Sequence, residues 1–345
     1  MYEVVEASNY IQSVVVFNLL PKHPLAMSFI EKNPLKGWAL FFARLFFDFN
    51  TLRRLFWALV LLNIFVVILL ILDIDHITGG LKLGGTLHSI MGVALGLLLV
   101  FRTNTAYERW SEGRKLLGGL VNACREIAIK AFAFFPKKED RNTVARLLAA
   151  YAFALRNHLR DDKTIDYHYL LSQHEVELLA QANHHPNWIA KRLYQFVYQA
   201  YQSKQLDGFQ FQSLDTLANQ LTDISGGCER IRSTPMPQAY KMHLFHFLVL
   251  YFTTLPFVMI SDLQYWTLPL ISLIFYSLAG LKAIGNEIEE PFGQDSNDLP
   301  VDVICQKIEA NVYEILQMSR DNVEFSEVSK PIADPILQLI EKGVG

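Results

Sequence analysis

Four stretches without Asp, Glu, Lys or Arg constrain this chain more than any other feature. Residues 55–72 hold one polar side chain, Asn63, and residues 242–260 and 265–281 are two further apolar runs. The fourth, residues 87–101, ends at Arg102 inside "VALGLLLVFRTNTAYERW". A helix crossing a bilayer takes about twenty apolar residues. The fourth run is therefore short, and a charged, aromatic patch follows it directly. Of the 345 residues 51% are hydrophobic and 19% charged, too apolar for an ordinary soluble chain and too charged for one lying wholly in lipid.

Between residues 102 and 241 the composition is that of a soluble helical region. Organisation follows as 1–54 (interfacial or cytosolic helices), 55–101 (spans one and two), 102–241 (cytosolic helices), 242–282 (spans three and four) and 283–345 (C-terminal cytosolic segment). Basic residues gather on the cytoplasmic side of membrane proteins. Nineteen of the 31 Lys and Arg lie in 102–241, and Arg53 and Arg54 precede span one. The 73–86 loop has only Lys82, and the 261–264 turn has none. Both termini and the middle region are thus expected in the cytoplasm of a multi-pass inner-membrane protein. No signal peptide opens the chain. The net charge of −3 gives no reason to expect nucleic acid.

The class is all-α, a four-span protein with a large cytosolic helical region. "KEDRNTVARLLAAYAFALRNHL" repeats apolar residues at helical spacing, and Ser172 with Glu175 three residues on marks a helix start. "SLDTLANQLTDISGGCERI" is another helix, broken or closely packed at Gly226 and Gly227. "GWALFFARLFFDFN" suits an interfacial helix or a buried connecting one. Cys124, Cys228 and Cys305 are far apart and lack metal spacing, which suits three structural thiols. His158, His168, His174, His184 and His185 show no H-x₃-H or HExxH pattern, so solvated or capping roles are expected. No nucleophile elbow, phosphate loop or dinucleotide fingerprint supports an enzyme.

Gly92 and Gly96 form a GxxxG pair. Val93, Leu97 and Phe101, at i, i+4 and i+8, share one helix face. From the residues alone that face either packs in a core or lines a hydrophobic constriction. The acidic "NEIEEPFGQDSNDLP" is not an EF-hand; it is a solvated turn or, through Glu290, Asp295 and Asp298, a cation site.

Three motifs carry a resemblance. "LLLVFRTNTAYERWSEGRKLLGGLVNACRE", "GGCERIRSTPMPQAYKMHL" and "IEEPFGQDSNDLP" resemble signatures of the bestrophin family in its bacterial branch, in the same order, over about residues 40–320. The resemblance implies a homopentameric ion channel in a lipid bilayer with one central pore. By motif position its hydrophobic neck falls on Val93, Leu97 and Phe101. A second, cytosolic aperture falls near Phe209, with Leu206 the neighbouring candidate. A calcium clasp of the animal members maps onto Asp295 and Asp298, with Glu290 standing where an amide is usual. Anion conduction is the expectation by family weight; the alternatives are a monovalent cation channel of the same fold and a membrane-anchored scaffold for a cytosolic partner. In a pentamer the second span need not end where lipid ends, and its inner part continues into the cytosolic vestibule.

Overall fold

The computed structural model describes residues 50–72, 85–295 and 297–318, with the side chains of 50–54 left aside. The "GWALFFARLFFDFN" reading, the Lys82 loop and the segment after residue 318 lie outside the described residues. These residues form nine α-helices and no strand among them: α1 Asn50–Ile71, α2 Gly85–Phe134, α3 Lys138–Leu159, α4 Gln173–Ala180, α5 His185–Gln202, α6 Gly208–Ser233, α7 Gln238–Leu263, α8 Thr267–Ile288 and α9 Val301–Ile315. They divide into two compact units, Met1–Thr105 with Pro237–Asn286, and Ala106–Met236 with Glu287–Gly345. The division falls within α2 and near the ends of α6 and α8.

The first unit holds α1, the start of α2, α7 and α8. By length and composition, Gly85–Phe134 and the helical stretch Gln238–Ile288 are able to cross a membrane, and the apolar helix Leu55–Ile71 is shorter. The second stretch is not one rod. Phe252 and Phe275 would lie about 35 Å apart along a single helix, yet their rings meet at 5.1 Å. The chain reverses at the Gln264–Trp266 turn, where Gln264 takes a φ of 44°. The helices close on Val66, Leu95, Leu99, Leu244, Leu248 and Ile271. Asn63, the polar residue of the 55–72 run, bonds through Nδ2 to the Leu59 carbonyl and to Ser272 Oγ at 2.9 and 3.0 Å. His88 Nε2 meets Thr254 Oγ1 at 2.9 Å. The two glycines of the GxxxG pair differ. A Cβ on Gly92 would come within 2.9 Å of the Tyr251 hydroxyl, whereas Gly96 faces open space.

The second unit is built around α3. Small residues Ala145, Ala149, Ala150, Ala152 and Ala154 are buried with Leu148 and Leu155 and let α5, α6 and α9 pack around it. The buried Tyr151 hydroxyl donates to the Leu221 carbonyl at 2.6 Å. Helix α6 runs unbroken through Gly226 and Gly227; a Cβ on Gly227 would stand 2.9 Å from Leu116, so this glycine serves close packing. Cys124, Cys228 and Cys305 are buried thiols, each pushed up to about 12 by burial.

Ser172 and Glu175 form the full capping box that starts α4. Glu175 also meets Arg146 and Arg192, each at 3.5 Å. Burial alone would raise its carboxyl. The Ser172 N–H and hydroxyl and the two guanidiniums outweigh burial and hold it below the ordinary carboxylate range. A depressed native pKa contributes stability that is present above the unfolded value and lost as pH falls through the native one. Glu175→Gln keeps the cap but not the charge. It is expected to lower Tm at pH 7, and the gap to wild type should close below about pH 4; melting curves at several pH values check this.

Candidate functional site

The sequence-predicted row occupies one face of α2. Val93, Leu97 and Phe101 are 74%, 54% and 56% exposed, while Leu95 and Leu99 on the other side are fully buried in the first unit. Ile90 extends the exposed row by one turn. Three large apolar side chains in register are left uncovered by the other described residues, an apolar patch of the kind that marks a contact surface. The row ends at Arg102. This cation is buried, 2% exposed, and a guanidinium nitrogen donates to Asn286 Oδ1 near the end of α8. Such pairing satisfies a charge beside an apolar stretch.

In the second unit the three quoted motifs converge. Arg109 of α2 donates from Nη2 to the Ile231 carbonyl and from Nη1 to the Thr234 carbonyl, both at 2.5 Å, and from Nε to the Glu289 carbonyl at 3.2 Å. It thereby takes up carbonyls at the C-terminal end of α6, where intrahelical partners run out. Glu289, 2% exposed, accepts the Met236 N–H at 3.0 Å. Trp110 Nε1 donates to the Asn297 carbonyl at 3.1 Å. A Cβ on Gly113 would stand 3.1 Å from Phe292 and 3.3 Å from Leu299. Arg230 and Glu112 pair at 2.5 Å. Arg160, the residue that ends α3, donates to the carbonyls of Phe292 and Gly293 and grips Asp302 through both carboxylate oxygens, at 3.1 and 2.8 Å. Hydrogen bonds from Arg160 are the main cause holding the Asp302 carboxyl below its usual range.

The two aperture candidates part company. Phe209, in the first turn of α6, is 86% exposed, whereas Leu206 is 2% exposed in the core of the second unit. Leu206 packs in the core just before α6, and the capping box between Asp207 and Gln210 starts that helix with Phe209 on its outer side.

The acidic segment is a compact loop. Asp298 Oδ2 accepts the Asp295 N–H at 2.6 Å, and the Asp298 N–H returns to the Asp295 carbonyl at 3.1 Å. A Cβ on Gly293 would fall 2.6 Å from that same Oδ2, so a side chain there would displace the Asp298 carboxylate. Burial first, then the charges of Asp295 and Glu287, raise the Asp298 carboxyl, and its Oδ1 is buried without a hydrogen-bond partner. Glu290 is exposed, and among the described residues Glu290, Asp295 and Asp298 do not converge as a trio of ligands.

Comparison with known proteins agrees with this geometry. Residues 30–314 match the family described as bacterial/fungal bestrophin protein. A voltage-dependent anion channel-forming protein of Nostoc sp. is 40% identical over 236 residues, which are 67% of this chain and 77% of the relative. The protein of that description from Salmonella typhimurium is 35% identical over 293 residues, 84% of this chain and 94% of its own. The crystal structure of a bacterial bestrophin homologue from Klebsiella pneumoniae superposes with a TM-score of 0.73 at 27% identity, covering 77% of this chain and 99% of that one.

Arg109 is the test of the junction. A lysine keeps the charge but cannot span three carbonyls. Arg109→Lys is expected to cost about 1–3 kcal/mol, the range for leaving partly buried acceptors unmet, read as a lowered Tm of the detergent-solubilised protein.

Proposed function

The chain belongs to the bacterial and fungal bestrophin family, and from that premise we propose that it is an ion channel with one pore formed by several copies of itself. The observation that carries this reading is the exposed row of Val93, Leu97 and Phe101 on a helix whose reverse side is packed. Five copies placing this row around an axis would stack three apolar rings along about 12 Å of helix. Such rings hold no ion and conduct only when wetted, so they gate by dewetting. Phe209, exposed on the first turn of α6, would supply the second constriction on the cytosolic side. The paired α7 and α8, with α1 and the start of α2, would make four crossings. On this reading both termini lie in the cytoplasm, which the distribution of Lys and Arg supports.

Anions are the proposed cargo, because the relatives are named as voltage-dependent anion channel-forming proteins. Reconstituted protein under asymmetric salt is expected to reverse near the chloride equilibrium potential; reversal near that of the monovalent cation would transfer the reading to a cation channel, and no flux at any voltage would remove it. Leu97→Ala and Phe101→Ala are expected to raise flux by shrinking the rings. If these side chains pack laterally instead, the same changes leave cavities costing about 2–5 kcal/mol without added flux.

Calcium at the 291–300 loop rests on a single oxygen, Oδ1 of Asp298. A bound ion would take it together with Asp295 and loop carbonyls, easing the crowding of carboxylates. On this reading millimolar calcium raises Tm after chelator treatment, and Asp298→Asn abolishes the rise. An unchanged Tm in wild type leaves a solvated loop.

A further inference from the structure

Histidines scattered through the sequence meet in the second unit. His158 lies in the last turn of α3, His184 caps the N-terminus of α5, and Glu229 sits on α6. One ligand atom from each lies within 4.8 Å of the others. Glu229 Oε1 is 2.9 Å from His184 Nε2 and 3.5 Å from His158 Nε2, and the two imidazole rings stand 4.2 Å apart. Ser225 Oγ donates to the same Oε1 at 2.9 Å. Three elements thus aim their polar groups at one carboxylate oxygen. A hydrogen bond from His184 explains one of these approaches. It does not explain the second imidazole, whose Nε2 stands at 3.5 Å, beyond a good hydrogen bond.

We propose that His158, His184 and Glu229 are the protein ligands of a divalent transition-metal site, with Zn²⁺ the ion best matched to it. An ion bound at about 2.0–2.2 Å to nitrogen and oxygen sets its ligands roughly 3.4 Å apart in tetrahedral geometry. The distances of 2.9 and 3.5 Å bracket that edge, so small side-chain rotations admit the ion. Two imidazoles and one carboxylate suit zinc and its neighbours rather than calcium or magnesium, which take oxygen ligands. The side chains are 26%, 28% and 35% exposed, leaving room for entry and for water as fourth ligand. Ser225 holds the carboxylate in place. Neighbouring charge is balanced, since Arg232, which donates to the His158 carbonyl at 2.8 Å, pairs with Asp161.

Binding shifts one proton within a ring. His184 Nδ1 accepts the Asn187 N–H at 3.2 Å, which places the ring proton on Nε2. With a metal on Nε2 that proton moves to Nδ1, the imidazole stays neutral, and the exposed Asn187 N–H turns to water. The ion would then tie the end of α3, the start of α5 and α6 together, adding its binding free energy to the fold.

Full-length, tag-free protein in detergent, stripped with EDTA, is titrated with ZnCl₂ by calorimetry and by thermal shift, and with CoCl₂ by visible absorption. The expected result is one Zn²⁺ per chain at micromolar or tighter Kd, a raised Tm, and intense four- or five-coordinate cobalt bands. His158→Gln and Glu229→Gln should each weaken binding at least about tenfold. His184→Asn should do the same while keeping a capping side chain, so its metal-free Tm stays near that of wild type. Wild-type binding no tighter than that of a variant combining His158→Gln, His184→Asn and Glu229→Gln, binding that survives His158→Gln and Glu229→Gln, or only weak six-coordinate cobalt bands would each overturn the site. The cobalt spectrum of the wild type needs no variant to fold.

Discussion

Three carbonyl oxygens on one guanidinium set the second unit. Arg109 draws together Ile231, Thr234 and Glu289, residues more than a hundred positions away in the chain. Carbonyls at a helix end otherwise need water or a cap. A planar donor fork meets them from several directions at once. Glu289, Trp110 and Gly113 then fall into place around it, each closing a contact to the segment after α8 or to the turn after α6. The three segments that carry the family resemblance are therefore parts of one physical joint. Their residue types follow from its geometry: a fork-shaped cation, an indole N–H, and a glycine where Phe292 approaches.

What could be read beforehand were features local in sequence. Helix α3 spans the residues its apolar periodicity marked, and Ser172 starts α4 because a hydroxyl and a carboxylate three residues apart satisfy each other's backbone donors. Gly226 and Gly227 stay within α6 because Gly227 is needed where Leu116 comes close, a reason visible only once α2 lies alongside. Leu206 and Phe209 differ in burial because of what packs against each, which the Asp207 to Gln210 box, a helix start, does not encode. The histidine and glutamate cluster left no trace in spacing: its members come from three helices, and no period links them. Arg102 showed as a break in an apolar run, and Asn286, which receives it, lies 184 positions away.

The exposed row on α2 and the buried face behind it are two halves of one composition. A helix apolar all round has no solvent side. In this one Leu95 and Leu99 are packed by the chain's own helices, whereas Val93, Leu97 and Phe101 are not. Their bulk differs from that of the small residues that let helices approach closely, such as Gly92 against Tyr251. Leu95, Leu99 and the close approach of Tyr251 at Gly92 serve packing within the chain, and Val93, Leu97 and Phe101 are left for whatever lies outside it.

Helix α9 has a consequence in time. It packs on α3, and Asp302 near its start is gripped by Arg160 across 142 positions. At about 5–20 residues per second of synthesis, the apolar flank of α3 waits roughly 7–28 s for the strip that covers it. Meanwhile α7 and α8, a stretch apolar and long enough to cross a membrane, emerge between them. Neither unit is contiguous in the chain, so neither can finish before translation is nearly over. The newborn protein carries an incomplete core while α7 and α8 are still being made, and slow closure of long-range contacts makes that interval the time of greatest exposure to aggregation.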